Sequence, residues 1–168
     1  SCFGCADVGP IPVVLTVTDE RGYMASCTAT VTVVDARLPL INCPNDTVLT
    51  AMAGMSSLVV NDLEATASDN CGVGAINYST TGALMTSGSG AISGTAFPLG
   101  TTVVTYTALD LSNNSISCSF TVTVNGAVAI DCPSDTTVAN EMGLCTAVVN
   151  DIPVTIVSGA SEVDTIYY

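Results

Sequence analysis

Part of this chain is written twice, and the length of the repeat sets what the chain can fold into. Asn42-Cys43-Pro44-Asn45-Asp46-Thr47 returns as Asp131-Cys132-Pro133-Ser134-Asp135-Thr136, 89 residues on. At the same offset Val59-Val60-Asn61-Asp62 becomes Val148-Val149-Asn150-Asp151, and Tyr78 becomes Tyr167. A second echo, offset by 91, relates Gly9-Pro10-Ile11-Pro12-Val13-Val14-Leu15-Thr16-Val17-Thr18-Asp19 to Gly100-Thr101-Thr102-Val103-Val104-Thr105-Tyr106-Thr107-Ala108-Leu109-Asp110. After each Asp come a turn, a cysteine and an alternating stretch, Cys27-Thr28-Ala29-Thr30-Val31-Thr32-Val33 and Cys118-Ser119-Phe120-Thr121-Val122-Thr123-Val124.

The layout follows from these offsets. Residues 37–126 form one complete repeat of about 90 residues, residues 1–36 match only the last part of it, and residues 127–168 match only the first part. Laid end to end, the two partial copies lack only the counterpart of Thr80–Ala91, a Gly/Ser/Thr-rich stretch that reads as a loop or edge hairpin. Neither fragment should be stable alone, because half a sandwich leaves its apolar face in water. Two arrangements satisfy that constraint: a window on a long tandem array, or subunits that complete one another by donating strands. Both make a polymer of copies joined head to tail.

Local pattern gives the class. Residues 13, 15 and 17 present one apolar face while Thr16 and Thr18 turn away, and Phe120, Val122 and Val124 alternate with Thr121 and Thr123. A period of two is what a half-buried strand needs. Turn clusters such as Phe97-Pro98-Leu99-Gly100, Asp69-Asn70-Cys71-Gly72 and Leu111-Ser112-Asn113-Asn114 break any helical reading. The expected fold is all-β: tandem immunoglobulin-like sandwiches, one complete and two partial.

Composition narrows the function. Hydrophobic residues make up 48% of the chain, yet no window approaches the roughly 18 apolar residues of a membrane span. Fifteen acidic residues against Arg21 and Arg37 leave a formal net charge of −13. A chain this acidic repels nucleic acid and anionic membrane surfaces, so neither is an expected partner. There is no His, so the eight cysteines cannot build Cys/His zinc sites, and Cys2-Phe3-Gly4-Cys5 is the one close pair. Disulfides are the better reading, and they place the protein in an oxidising, extracellular or cell-surface setting. The chain opens at Ser1-Cys2-Phe3 without a signal peptide, so any targeting segment is expected to have been removed or to lie elsewhere. Three sequons, at Asn45, Asn77 and Asn113, are candidates for N-glycans.

At its repeated motifs the sequence resembles the hyalin repeat, or HYR domain, a β-sandwich module related to immunoglobulin and fibronectin type III folds. The resemblance is carried by Ile41-Asn42-Cys43-Pro44, Ala67-Ser68-Asp69-Asn70-Cys71-Gly72, the run from Phe97 to Asp110, and Asn114-Ser115-Ile116-Ser117-Cys118-Ser119-Phe120-Thr121-Val122. It implies extracellular tandem modules associated with adhesion and matrix structure, with no catalytic residues to carry over. In such a sandwich the first and last strands can run side by side, which implies a Cys43–Cys118 disulfide. The same logic pairs Cys27 with Cys132 of the preceding segment. Cys145 then takes Cys2 or Cys5, which leaves Cys71 and one other cysteine without an evident partner. The third copy departs from the pattern, with Ser158-Gly159-Ala160 where the central one has Asp69-Asn70-Cys71.

Catalysis is not expected. Without His there is no Ser-His-Asp or Cys-His apparatus, and the carboxylates sit one per turn, where Asp caps backbone. No cofactor or metal is expected either. Asp69-Asn70 and Asn61-Asp62 have donors that suit Ca²⁺ near a domain junction, but ordinary turn chemistry explains them more simply. The reading is therefore a structural repeat unit of an extracellular fibre or surface layer, glycosylated and disulfide-stapled. The competing reading is a cell-surface adhesin stalk or ligand-binding module.

Overall fold

A computed structural model describes residues 3–131, 135, 137–140, 142–143 and 155–158. Among them a single 3-10 turn, Cys5–Asp7, precedes thirteen strands. In chain order these are β1 (Gly9–Thr18), β2 (Met24–Val33), β3 (Leu40–Asn42), β4 (Thr47–Ala51), β5 (Ser57–Val60), β6 (Thr66–Ser68) and β7 (Val73–Gly82). They continue as β8 (Ser87–Ser89), β9 (Thr95–Pro98), β10 (Gly100–Asp110), β11 (Ser115–Gly126), β12 (Val128–Asp131) and β13 (Thr155–Ser158). The protein is all-β, as its period-two alternation predicts, and no helix among the described residues is long and apolar enough to cross a membrane.

Strands β3 to β11 build a sandwich. One layer has the order β4-β11-β10-β7-β8, and the other is made of the antiparallel pairs β3–β6 and β5–β9. The chain starts in one layer with β3 and crosses to the other with β4, which runs parallel to β11 from Thr47↔Val122 to Ala51↔Gly126. Pro44 lies at this crossing and has no N–H to continue a ladder. The side chain of Asp46 replaces the missing pairing, its Oδ1 accepting the Thr121 N–H at 2.7 Å.

Alternation along β10 and β11 produces the core. Every second residue of β10 from Thr102 to Asp110 is buried, as are Phe120, Val122 and Val124 of β11. They close against Val60, Leu63, Ile92 and Phe97 from the opposite layer and its connections. Tyr106 is fully buried at the centre, stacked on Phe120 and edge-on to Tyr78, each ring 6.2 Å away. Its hydroxyl donates to the Leu63 carbonyl at 2.7 Å and accepts the Ile92 N–H at 3.0 Å, so a buried polar group is satisfied on both counts.

Thr80–Ala91 forms the edge of the five-stranded layer. β7 turns at Gly82 and returns as β8, which pairs only with β7. A three-residue edge strand offers little template for unwanted pairing. Gly88 permits its close approach: a Cβ there would lie 2.6 Å from the Tyr78 hydroxyl.

Candidate functional site

Two hairpins in this chain share one construction. β1 pairs with β2 from Gly9↔Val33 to Thr18↔Met24, and β10 pairs with β11 from Gly100↔Val124 to Leu109↔Ser115. Adding 91 to the first ladder gives the second. The turns also agree. Asp19 Oδ1 accepts the N–H groups of Arg21 and Tyr23 at 2.9 and 2.8 Å. Asp110 Oδ1 accepts those of Ser112 and Asn114 at 2.8 and 2.7 Å. Each turn needs one left-handed residue, met by Gly22 (φ 86°) and by Asn113 (φ 67°).

Their burial is opposite. Val104, Tyr106 and Val122 are wholly enclosed, whereas Leu15 is 62% and Val17 65% exposed. Ile11, Val13, Leu15 and Val17 stand opposite Val31, Ala29, Cys27 and Ala25 on one apolar face. No strand among the described residues pairs with either edge of this hairpin.

The cysteines tie the hairpin to the sandwich. Cys43 and Cys118 form a disulfide across the β3–β4 crossing, with Cα atoms 6.0 Å apart and 75 residues between them in sequence. Cys5 differs from the expectation that it or Cys2 serves Cys145: it is bonded to Cys71, which sequence left without a partner. The physical reason is local. Asp7 accepts the Gly4 N–H at 2.8 Å and folds Cys5 into a tight turn that sets its Cα 5.1 Å from that of Cys71 in the β6–β7 loop. Cys27 has a free, exposed thiol. Cys2, Cys132 and Cys145 lie outside the described residues.

Beside the Cys5–Cys71 bond three carboxylates converge. Asp35 leaves β2, Asp69 sits in the β6–β7 loop and Asp110 ends β10; one oxygen of each lies within 4.8 Å of the others. Each carboxylate is fixed by its own turn. Asp35 Oδ1 accepts the Arg37 N–H at 3.2 Å, and Asp69 Oδ1 accepts those of Cys71 and Gly72 at 2.8 and 3.1 Å. Asp110 Oδ2 accepts the side-chain amide of Asn114 at 2.7 Å, and that amide also reaches the Asp35 carbonyl at 3.0 Å. Oδ2 of Asp35 and Oδ2 of Asp69 are buried without a hydrogen-bond partner. Burial pushes the Asp110 carboxyl up, but the Asn114 side chain and the backbone N–H groups of Asn114 and Ser112 outweigh it and hold the group below the usual carboxylate range.

Of the residues singled out from sequence for cation binding, Asp69 belongs to this cluster, while Asn61 and Asp62 are exposed and stand outside it. Asp35 and Asp110 have no local signal beyond an Asp closing a strand. All three sequon asparagines are exposed: Asn45 at the β3–β4 crossing, Asn77 on β7 and Asn113 in the β10–β11 turn.

Residues 34–124, which include all of the sandwich but the last two residues of β11 and also the Cys43–Cys118 bond, match the HYR domain family. Hyalin of Strongylocentrotus purpuratus is 34% identical over 151 residues, covering 85% of this chain and 12% of its own length. Hyalin of Lytechinus variegatus is 37% identical over 144 residues, covering 81% of this chain and 25% of its own. The chain thus spans a quarter or less of these relatives. With a family match over more than half its length, placed on the sandwich itself, the chain belongs to the HYR domain family.

Proposed function

We propose that this chain is a structural repeat unit of an extracellular fibre or surface layer that grows head to tail. The observation carrying the reading is the β1–β2 hairpin, which has the register and turn of β10–β11 but an uncovered inner face. On this reading residues 1–36 are the tail of one repeat, 37–126 a complete one and 127–168 the head of the next. The occupant of the bare face is then a repeat head, supplied by preceding polypeptide or by residues 127–168 of another copy. Covering Leu15, Val17 and their neighbours would contribute roughly 1.5–3 kcal/mol for each large side chain fully buried.

The remaining features suit such a fibre. Cys27 stands where Cys118 stands in the second hairpin, and Cys132 matches Cys43, so a Cys27–Cys132 bond would staple each junction. Two disulfides within the described residues suit an oxidising compartment. Exposed Asn45, Asn77 and Asn113 would carry glycans, and these with the net charge of −13 would keep neighbouring fibres apart in water.

Electron microscopy of native material tests the reading. Thin fibres with an axial repeat on the order of 70–90 Å, spanning two sandwiches, are expected. A reducing, denaturing gel then separates the two ways of joining: one very large polypeptide means a covalent array, and small subunits mean strand completion. Monodisperse particles without fibres would overturn the reading in favour of an adhesin stalk or ligand-binding module.

A further inference from the structure

The geometry points to a divalent-cation site, formed by Asp35, Asp69 and Asp110, that takes Ca²⁺ and locks the β1–β2 hairpin onto the sandwich. Three carboxylates come within 4.8 Å of one another. Among the described residues none of them has an ion-pair partner, and the whole chain has only two cationic side chains. Asp35 is nine-tenths buried, with 9% of its surface exposed, and its Oδ2 finds no donor. The Oδ2 of Asp69 is orphaned in the same way. Buried carboxylate oxygens without donors are costly, and like charges this close repel one another unless a cation stands between them.

The donor set selects the ion. It is all oxygen, which suits hard cations and not zinc or copper. Two oxygens across one Ca²⁺ stand roughly 4.6–5.2 Å apart, so the spacing lets a single ion reach all three groups. The hydrogen bonds already present hold the first oxygen of each group, Oδ1 of Asp35 on Arg37, Oδ1 of Asp69 on Cys71 and Gly72, and both oxygens of Asp110 on its turn. The site is therefore preorganised and spares its ligands much of the ordering cost of binding. Because the ligands come from the β2–β3 connection, the β6–β7 loop and the end of β10, one ion joins the hairpin's exit to the sandwich. Cys5–Cys71 ties the segment that precedes β1 to the same β6–β7 loop. At the offset of 89 Asp69 is replaced by Ser158 and Cys71 by Ala160, so both ties belong to this junction and not to the next.

The test is calorimetric titration of the full chain with CaCl2 in about 150 mM NaCl, which screens diffuse attraction to an acidic protein. One saturable Ca²⁺ per chain is expected, bound more tightly than Mg²⁺. Asp35→Asn and Asp69→Asn keep the Oδ1 acceptor that holds each turn and should weaken binding by about tenfold or more. Asp62→Asn, exposed and outside the cluster, should leave it unchanged. Melting provides a second readout: Ca²⁺ should raise Tm over EDTA in the parent chain but not in Asp35→Asn, which in EDTA should melt no lower than the parent. No saturable binding, equal loss in Asp35→Asn and Asp62→Asn, or equal affinity for Mg²⁺ would overturn the assignment. Binding is read per chain whether or not copies assemble, so its failure and the failure of the fibre reading are separate results.

Discussion

The β1–β2 and β10–β11 hairpins show what a strand pattern determines and what it leaves to its surroundings. Both have the same ladder, the same Asp-capped turn and the same alternation. One is the core of a sandwich and the other is exposed. Backbone pairing and turn chemistry are therefore local properties, fixed within about 25 residues of sequence in each hairpin. Burial is supplied from outside. β10–β11 receives it from Phe97, Leu63, Ile92 and Val60, which belong to segments absent before β1 among the described residues. The side chains register the difference: Tyr106 stands where the first hairpin has Leu15, and Phe120 where it has Ala29.

The comparison can be broken most strongly at its staple. Replacing Cys43 and Cys118 with Ala should cost the sandwich about 4–5 kcal/mol on loop-closure grounds, read as a fall in urea midpoint. Replacing Cys5 and Cys71 should instead free the β1–β2 hairpin, with its amides exchanging faster while those of β10 and β11 hold. Next come paired truncations. Val122→Ala should cost about 1.5–3 kcal/mol, and Val31→Ala, its half-buried counterpart in the first hairpin, less than about 1 kcal/mol in the isolated chain. Equal losses would mean that the first hairpin is already covered.

Tyr106→Phe sharpens the comparison by leaving the Leu63 carbonyl and the Ile92 N–H without a partner; a loss of about 1–3 kcal/mol is expected by thermal melting. The smallest effect on the chain alone belongs to Leu15→Ser, within about 0.5 kcal/mol. In assembled material the same change should abolish or sharply weaken fibres under the microscope, because it places a hydroxyl in the face to be covered.

Much of this fold was legible in sequence because its signals are local. Alternation over Val13–Thr18 and Phe120–Val124 marks strands, and the Asp after each first strand marks the turn whose N–H groups it caps. The Gly/Ser/Thr-rich stretch Thr80–Ala91 reads as an edge, and β8 is one. The Cys5–Cys71 bond and the Asp35–Asp69–Asp110 cluster were not legible, since each unites groups that only the tertiary fold brings together. Asp69 came partly into view through its Asp-Asn pair, yet nothing in its neighbourhood indicates Asp35 or Asp110. The short β3, β5, β6 and β9 strands carry weak alternation of their own and owe their place to the partners they pair with.

Native-state hydrogen exchange, comparing the isolated chain with assembled fibres, tests the central claim most directly. The account predicts that amides of β1 and β2 exchange fast in the isolated chain and slow by about a hundredfold or more on assembly, while those of β10 and β11 are protected in both. Strong protection of β1 and β2 in the isolated chain, or none gained in fibres, would contradict it.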